Sequence, residues 1–361
     1  MNEWKEYKLG DIATFSYGSL PKKQLLGKGE YITYSGYKYL DSYPEYNCEE
    51  GDVILVARGV GGTGDVKLTS QECYLTNLSI RISLDNDIIL NKFFYYIYQI
   101  ENLRYLDSGS AQSQITIKDL SNVILEIPSL EYQKVVVDIL SSLDDKIDLL
   151  NRENVTLEAL AETLFRHHFI ETPNPTWKEG KLESVVEVFD SRRKPLSKME
   201  RDKMKKGTIL YPYYGAAEIM DYIDEYLFDG EFILLGEDGT VRTDNGYPVL
   251  QLATGKFWPN NHAHVLQAKK PFDNCFLWYY FKTTNIDEIV TGAVQPKINQ
   301  ANLMSLPIYD YPIDQVEEFQ TKAVPIWNRI KYNQQQIKTL VAQRDILLPR
   351  LMSGEVKVGI Q

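Results

Sequence analysis

Cysteine is scarce in this sequence, and the little there is lies scattered. Cys48, Cys73 and Cys275 form no CxxC pair and have no histidine at ligand spacing, which argues against a disulfide scaffold and a zinc site and fits a reducing cytoplasm. There is no run of eighteen apolar residues and no basic-apolar-small leader, so the expectation is a cytoplasmic protein with no membrane partner. An excess of basic residues is also missing. Lys and Arg number 39 against 50 Asp and Glu, a formal charge of -11, which excludes coating nucleic acid by bulk attraction and confines any DNA contact to local patches. An Asn/Asp-Pro-Pro-aromatic methylation motif is absent as well; YPYY at Tyr211–Tyr214 and the Asn174-Pro175 pair do not supply it. His262 and His264 form an H-x-H without a third ligand, read as two residues on one side of a strand. No catalytic residue and no metal site are expected.

With 361 residues and 43% hydrophobic content, the chain can bury more than one core, and two domains are expected. The stretch ARGVGGTGDVK, Ala57 to Lys67, has the glycines of a phosphate cradle, with Gly59 and Gly64 at P-loop spacing. Asp65 and Val66 stand where that chemistry needs a lysine and a hydroxyl, so a nucleotide site is not expected. One segment is strongly basic: Ser191 to Lys206 holds eight Lys/Arg against Glu200 and Asp202.

The chain repeats itself. WKEYKLGDIA (Trp4 to Ala13) returns as WKEGKLESVV (Trp177 to Val186), GDVILVARG (Gly51 to Gly59) as GEFILLGED (Gly230 to Asp238), and GSAQSQITIKDL (Gly109 to Leu120) as GAVQPKINQANL (Gly292 to Leu303). After each copy comes a seam stepping by four and three. In the first it runs through Val136, Leu140, Leu143, Ile147, Leu150, Asn154, Leu157, Ala161, Leu164 and His168. In the second it runs through Phe319, Ala323, Ile326, Ile330, Asn333, Ile337, Leu340, Arg344, Leu347 and Leu351. Asn154 and Asn333 read as register-setting seam residues, and His168 as a helix-end residue facing a partner. Ser129 is expected to cap the first helix, Asp314 with Glu317 to start the second, and Pro325 to kink or delay it. The extra apolar residues Val135, Ile139, Leu149, Leu160 and Phe165 widen the stripe and suggest a further docking surface.

Short alternating strands, glycine turns and a helix at Asn91 to Asn102 with its counterpart at Asn274 to Thr284 complete the reading. The fold class is α+β: two repeated globular α/β domains separated by two long antiparallel helices forming a coiled coil, pseudo-two-fold. The boundaries are 1–128 and 172–312 for the globular domains, with long helices at 129–171 and 313–361.

A repeated scaffold with divergent polar loops suits bipartite reading of a duplex. Side chains able to pair with base edges are Arg58, Gln112 and Gln114 in the first copy, and Arg192, Arg193, Arg242, Asn261, Gln295 and Lys297 in the second. Lys22, Lys23, Lys38, Lys194, Lys198, Lys205 and Lys206 are placed on DNA, mainly on phosphates. The W-K-x-x-K-L starts, the GDVIL strand with its turn, the Q-x-x-I segment before each helix, the P-x-x-E-Y-Q lead into the first helix and the two-fold repeat together resemble the specificity subunit of type I restriction-modification enzymes. That resemblance implies two target recognition domains, each reading half of a split site on double-stranded DNA. It further implies a helix pair that spaces the domains and docks two methyltransferase subunits, with restriction subunits as further partners. S-adenosylmethionine, ATP and magnesium would belong to those partners, and no cofactor to this chain.

Two rival readings remain at this level. One is a stand-alone DNA-modifying enzyme, which activity of the purified chain on plasmid DNA would reveal. The other is a coiled-coil adaptor carrying two protein-binding modules, which a salt titration of duplex binding would distinguish.

Overall fold

The computed structural model describes residues 4–59, 62–107, 113–171, 174–292 and 294–356. The chain divides into two compact units, Met1–Leu149 with Gln336–Gln361, and Leu150–Gln335. No helix among the described residues is long and apolar enough to cross a membrane.

In the first unit, Lys5–Lys8 pairs with Ile124–Ile127. A four-stranded sheet runs in the order Ala13–Tyr17, Ser79–Leu84, Val53–Val56, Val66–Leu68, beside a three-stranded sheet of Lys38–Tyr43, Tyr31–Ser35 and Cys73–Leu75. All four residues of Val53–Val56 are buried, because both faces of that strand are covered. Val53 and Leu55 join Phe93 and Phe94 of the helix Asn91–Ile100 in one core, while Ile54 joins Cys48, Cys73 and Leu75 in another.

The second unit repeats this plan with one difference. Glu179–Lys181 pairs with Pro307–Tyr309, and a single six-stranded sheet runs Val186–Val188, Ala263–Ala268, Phe228–Gly236, Leu250–Pro259, Tyr211–Tyr214, Ile219–Ile223. The long strands Phe228–Gly236 and Leu250–Pro259 run through the region where the first unit breaks its ladder, so two sheets become one. The break in the first unit is built from Gly51, at φ 80°, and from Thr69, whose hydroxyl donates to the Glu49 carbonyl at 2.5 Å and accepts the Asp52 amide at 2.9 Å. The hairpins Tyr31–Tyr43 and Tyr211–Ile223 carry a bulge at matching places, Thr33/Tyr34 and Tyr213/Tyr214. Here Ile233, Leu235 and Leu266 pack with Phe276, Leu277 and Tyr280 of the helix Asn274–Thr283, which Asp273 caps by accepting the Phe276 amide at 2.8 Å.

The two long helices are Leu130–Phe169 and Ile313–Met352, 40 residues each and about 60 Å long at about 1.5 Å per residue. Within each unit their segments are antiparallel. In the first, the Tyr132 hydroxyl donates to the Leu351 carbonyl at 2.8 Å, and Arg344 meets Asp144 at 3.0 Å. In the second, Asn333 donates to Asn154 at 2.9 Å, and Gln315 donates to the His168 carbonyl at 2.5 Å. The seam residues Leu143, Ile147, Leu157, Ile337, Leu340 and Leu347 are half-buried, and Leu150, Ile330 and Asn333 are buried.

Four local expectations meet different outcomes. Ser129 does cap the first helix, its hydroxyl accepting the Tyr132 amide at 3.4 Å. The second helix begins at Ile313, with the Pro312 carbonyl accepting from Gln315, so Asp314 lies inside the first turn rather than at the cap. Pro325 neither delays nor interrupts the helix: it is exposed, where water can serve the carbonyl that its missing N–H leaves free. Phe165 is not part of an outer stripe; it is 1% exposed and packs edge-on against Phe276 and Phe319, whereas Leu149 and Leu160 are exposed.

Candidate nucleic-acid interface

Each unit ends its central strand in a polar turn, and backbone hydrogen bonds establish how the turns correspond. In the first unit the Ala57 amide donates to Leu78 and its carbonyl accepts from Ile115; in the second, Glu237 takes both roles, donating to His262 and accepting from Ile298. Ala57 therefore matches Glu237, and Arg58 matches Asp238, one position away from the match that the GDVIL and GEFIL strings suggest. The bridges Arg58↔Gln114 and Asp238↔Lys297 complete the equivalence. A guanidinium beside a side-chain amide in one unit corresponds to a carboxylate beside an ammonium in the other.

Arg58 is half-buried. Its guanidinium lies 5.8 Å from the Tyr17 ring centre, and its Nε is buried with no partner among the described residues. Gln114 is held through its backbone N–H, which donates to Asp107 Oδ1 at 2.8 Å. The turn Gly36-Tyr37, with both φ values positive at 56° and 60°, closes the tight hairpin that carries exposed Lys38. Tyr37 is held in that uncommon conformation by stacking on Tyr34 at 4.8 Å and by donating to the Leu68 carbonyl at 2.7 Å. Lys22 and Lys23 are exposed, and the Lys22 amide donates to the Tyr43 hydroxyl. Gln112 lies outside the described residues.

Of the glycines in the stretch Ala57 to Lys67, Gly64 serves packing, whereas a Cβ at Gly59 would meet nothing within 4 Å. Gly64 has φ 96°, and a Cβ there would lie 2.4 Å from the Arg104 amide nitrogen. The backbone of Leu103 and Arg104 fills the space beside Gly64.

In the second unit the turn sits on an ion network that the sequence reading missed. Arg193 lies 2.6 Å from Glu237 and 3.3 Å from Asp190, and donates to the Ala263 carbonyl at 2.7 Å. His264, 1% exposed, faces Asp190 through Nδ1 at 2.5 Å and donates through Nε2 to the Ile298 carbonyl at 2.9 Å. Lys297 reaches Asp238 at 3.3 Å and Glu237 at 3.4 Å, and its ammonium is held above the usual range by its hydrogen bond to Asp238. His262 Nδ1 lies 3.6 Å from Asp238. Asp190, Glu237 and His264 offer ligand-type atoms within 4.8 Å of one another. The Arg193 guanidinium spans the two carboxylates and supplies the positive charge a cation would bring. The only sequence signal for this network was the H-x-H alternation, since Asp190 and Arg193 come from another strand's end.

The candidate readers are thus placed unequally. Arg193, Asn261 and Lys297 come together at the turn, Arg193 also donating to the Asn261 carbonyl at 3.4 Å, but the Arg193 guanidinium is committed to protein acceptors. Arg242 lies apart from them, paired with Asp287. Arg192 stacks 4.3 Å above the Phe228 ring and donates to the Leu227 carbonyl. Gln295, Lys194 and Lys198 are exposed. Within the basic segment, Arg201 and Lys205 both bind Asp221, at 3.0 and 2.8 Å. Burial alone would push Asp221 up; the hydrogen bonds from Lys205, the Tyr222 amide and Arg201 outweigh it and bring the carboxyl down to about 2.

The duplication visible in these two turns is matched by comparison with known proteins. The family model described as type I restriction modification DNA specificity domain matches residues 1–159 and again 174–339. The chain belongs to this family. Among curated relatives, a putative type I restriction enzyme specificity subunit of Haemophilus influenzae, S.HindORF215P, is 37% identical over 144 residues, 40% of this chain and 35% of that relative. The MjaIX specificity subunit of Methanocaldococcus jannaschii is 25% identical over 409 aligned positions, covering 99% of this chain and 94% of the relative. The crystal structure of the type I S subunit from M. genitalium superposes with a TM-score of 0.67 at 17% identity, covering 97% of this chain and 96% of that one. At that identity it speaks for the fold.

Proposed function

We propose that this chain is the DNA-sequence specificity subunit of a type I restriction-modification complex, each unit reading one half of a bipartite site on double-stranded DNA. The observation that carries this reading is the double family match laid over two structurally equivalent turns with different side chains. In the first half-site Arg58 and Gln114 present donors suited to guanine and adenine edges. In the second, Asp238 adds an acceptor, suited to a cytosine or adenine amino group, beside Lys297 and Asn261. The exposed lysines 22, 23, 38, 194 and 198 contribute phosphate contacts.

The chain itself performs no bond-making step in this proposal. Its long helices dock two methyltransferase subunits and set the spacing of the half-sites, and restriction subunits join that assembly. S-adenosylmethionine, ATP and magnesium then belong to the partner subunits, which also supply much of the grip on DNA that an acidic chain lacks. The cytoplasm, where the DNA lies, is its compartment.

The test is co-expression with a methyltransferase partner and genome-wide mapping of methylated bases. A single split motif, absent without this chain, is expected. Unsplit or unchanged methylation would overturn the reading, as would cutting or methylation by the purified chain alone.

A further inference from the structure

Cys48 and Cys73 are both fully buried in the first unit and face each other across an isolated antiparallel bridge. The Cys73 amide donates to the Cys48 carbonyl at 2.9 Å, and the Cys48 amide to the Cys73 carbonyl at 3.1 Å. Such a mutually bonded pair sets its α-carbons about 5.5 Å apart with both side chains on one face. That separation falls within the window of about 4.4–6.8 Å that a disulfide spans.

The second unit reports independently where side chains at these two positions point. Its equivalents are Phe228 and Phe257, paired opposite each other in the same ladder, and their rings stack at 5.3 Å and 16°. Two thiols occupy the place of two stacked rings. They share a small cluster with Ile54 and Leu75, flanked by Tyr34 and Tyr37. The Cys48 thiol also donates to Asp52 Oδ2 at 3.2 Å. The hydrogen bond from Cys48 draws the Cys73 thiol below its usual range, while the Cys73 sulfur pushes Cys48 up. Cys73 is the better thiolate and Cys48 holds the proton beside a carboxylate.

We propose that Cys48 and Cys73 form a reversible dithiol–disulfide pair, oxidised by a small-molecule disulfide of the glutathione type. The Cys73 thiolate attacks one sulfur of the oxidant, forming a mixed disulfide and releasing one thiolate. With the segment open to solvent, Cys48 loses its proton to water, attacks the Cys73 sulfur and releases the second thiolate. Two protein thiols become one disulfide while one oxidant disulfide becomes two thiols. Because both sulfurs are closed to solvent, exchange proceeds through opening of the segment around Cys48 and is slow beside that of an exposed thiol. The bond ties that segment to the strand Cys73–Leu75, which pairs with the hairpin carrying the Gly36-Tyr37 turn. The inference does not rest on the DNA-reading proposal.

The experiment uses the full-length folded chain, incubated in glutathione/glutathione-disulfide mixtures, quenched with iodoacetamide and analysed by peptide mass. The expected product is one cross-linked peptide pair joining Cys48 to Cys73, two hydrogens lighter than the reduced peptides and restored by dithiothreitol, with Cys275 still a thiol. Cys275→Ser should leave the link unchanged, and Cys48→Ser should trap Cys73 as a stable glutathione adduct. If Cys48→Ser does not fold, the wild-type chain still decides. No cross-link in a chain shown by circular dichroism to be folded, separate adducts on wild-type Cys48 and Cys73, or links to Cys275 would overturn the proposal.

Discussion

The side-chain amide of fully buried Asn333 donates to the side-chain Oδ1 of half-buried Asn154 across 2.9 Å, joining the two long helices at their seam. The Asn333 oxygen itself is buried with no partner among the described residues. An amide pair of this kind limits register at some cost in stability. Asn154→Leu alone should destabilise the chain by about 1–3 kcal/mol, because it strands the Asn333 amide. The double change Asn154→Leu with Asn333→Leu should recover most of that loss. Thermal and urea melts of the three proteins check this; equal destabilisation by the single and double changes would refute it.

Arg58→Ala should weaken specific binding by about 1–3 kcal/mol and relax a single base position in the first half of the site. The second half should keep its sequence. Mapping methylated sites with the variant subunit checks both statements. Uniform weakening over all sequences would instead assign Arg58 to a phosphate.

Arg193 neutralises Glu237 and Asp190 from a site with 12% of its side chain exposed. Removing one partner of a buried charge cluster is costly, so Arg193→Met should destabilise the second unit by about 3–5 kcal/mol. Limited proteolysis should then cut first within 174–312, and a cleavage pattern unchanged from wild type would refute this role.

Asp221 links the basic helix Lys198–Lys203 to the hairpin strand Ile219–Ile223 through Arg201. Its folded value, about 2, lies below its ordinary 3.8, so its contribution is present above pH 4 and is lost as pH falls through 2. Asp221→Asn should cost about 1–2 kcal/mol at neutral pH. Acid titrations of the melting temperature should show wild type and variant converging near pH 2, and a gap that persists there would remove the ionic explanation.

Lengthening both long helices by one heptad adds about 10 Å of helix, roughly 3 base pairs of duplex. The half-sites should keep their bases while the spacer grows by that amount. A spacer that does not change would show that the helices do not set it.

The duplication, the two long helices and the seam places of Asn154 and Asn333 were legible in the amino-acid order alone, because they depend on local periodicity and on strings that recur; that the two asparagines bond each other was not. The helix at Asn91 and its counterpart at Asn274 were legible for the same reason, and the structure ends them at Ile100 and Thr283. Pairing across strands was not legible in this way. Which residue opposes which depends on ladder register, and a slip of one position separates the match of Arg58 with Asp238 from the string match of Arg58 with Glu237. Ladder register also brings Asp190 and Arg193 to His264, and sets Cys48 opposite Cys73. Composition and spacing decide which elements form; only the closed sheets decide which side chains meet.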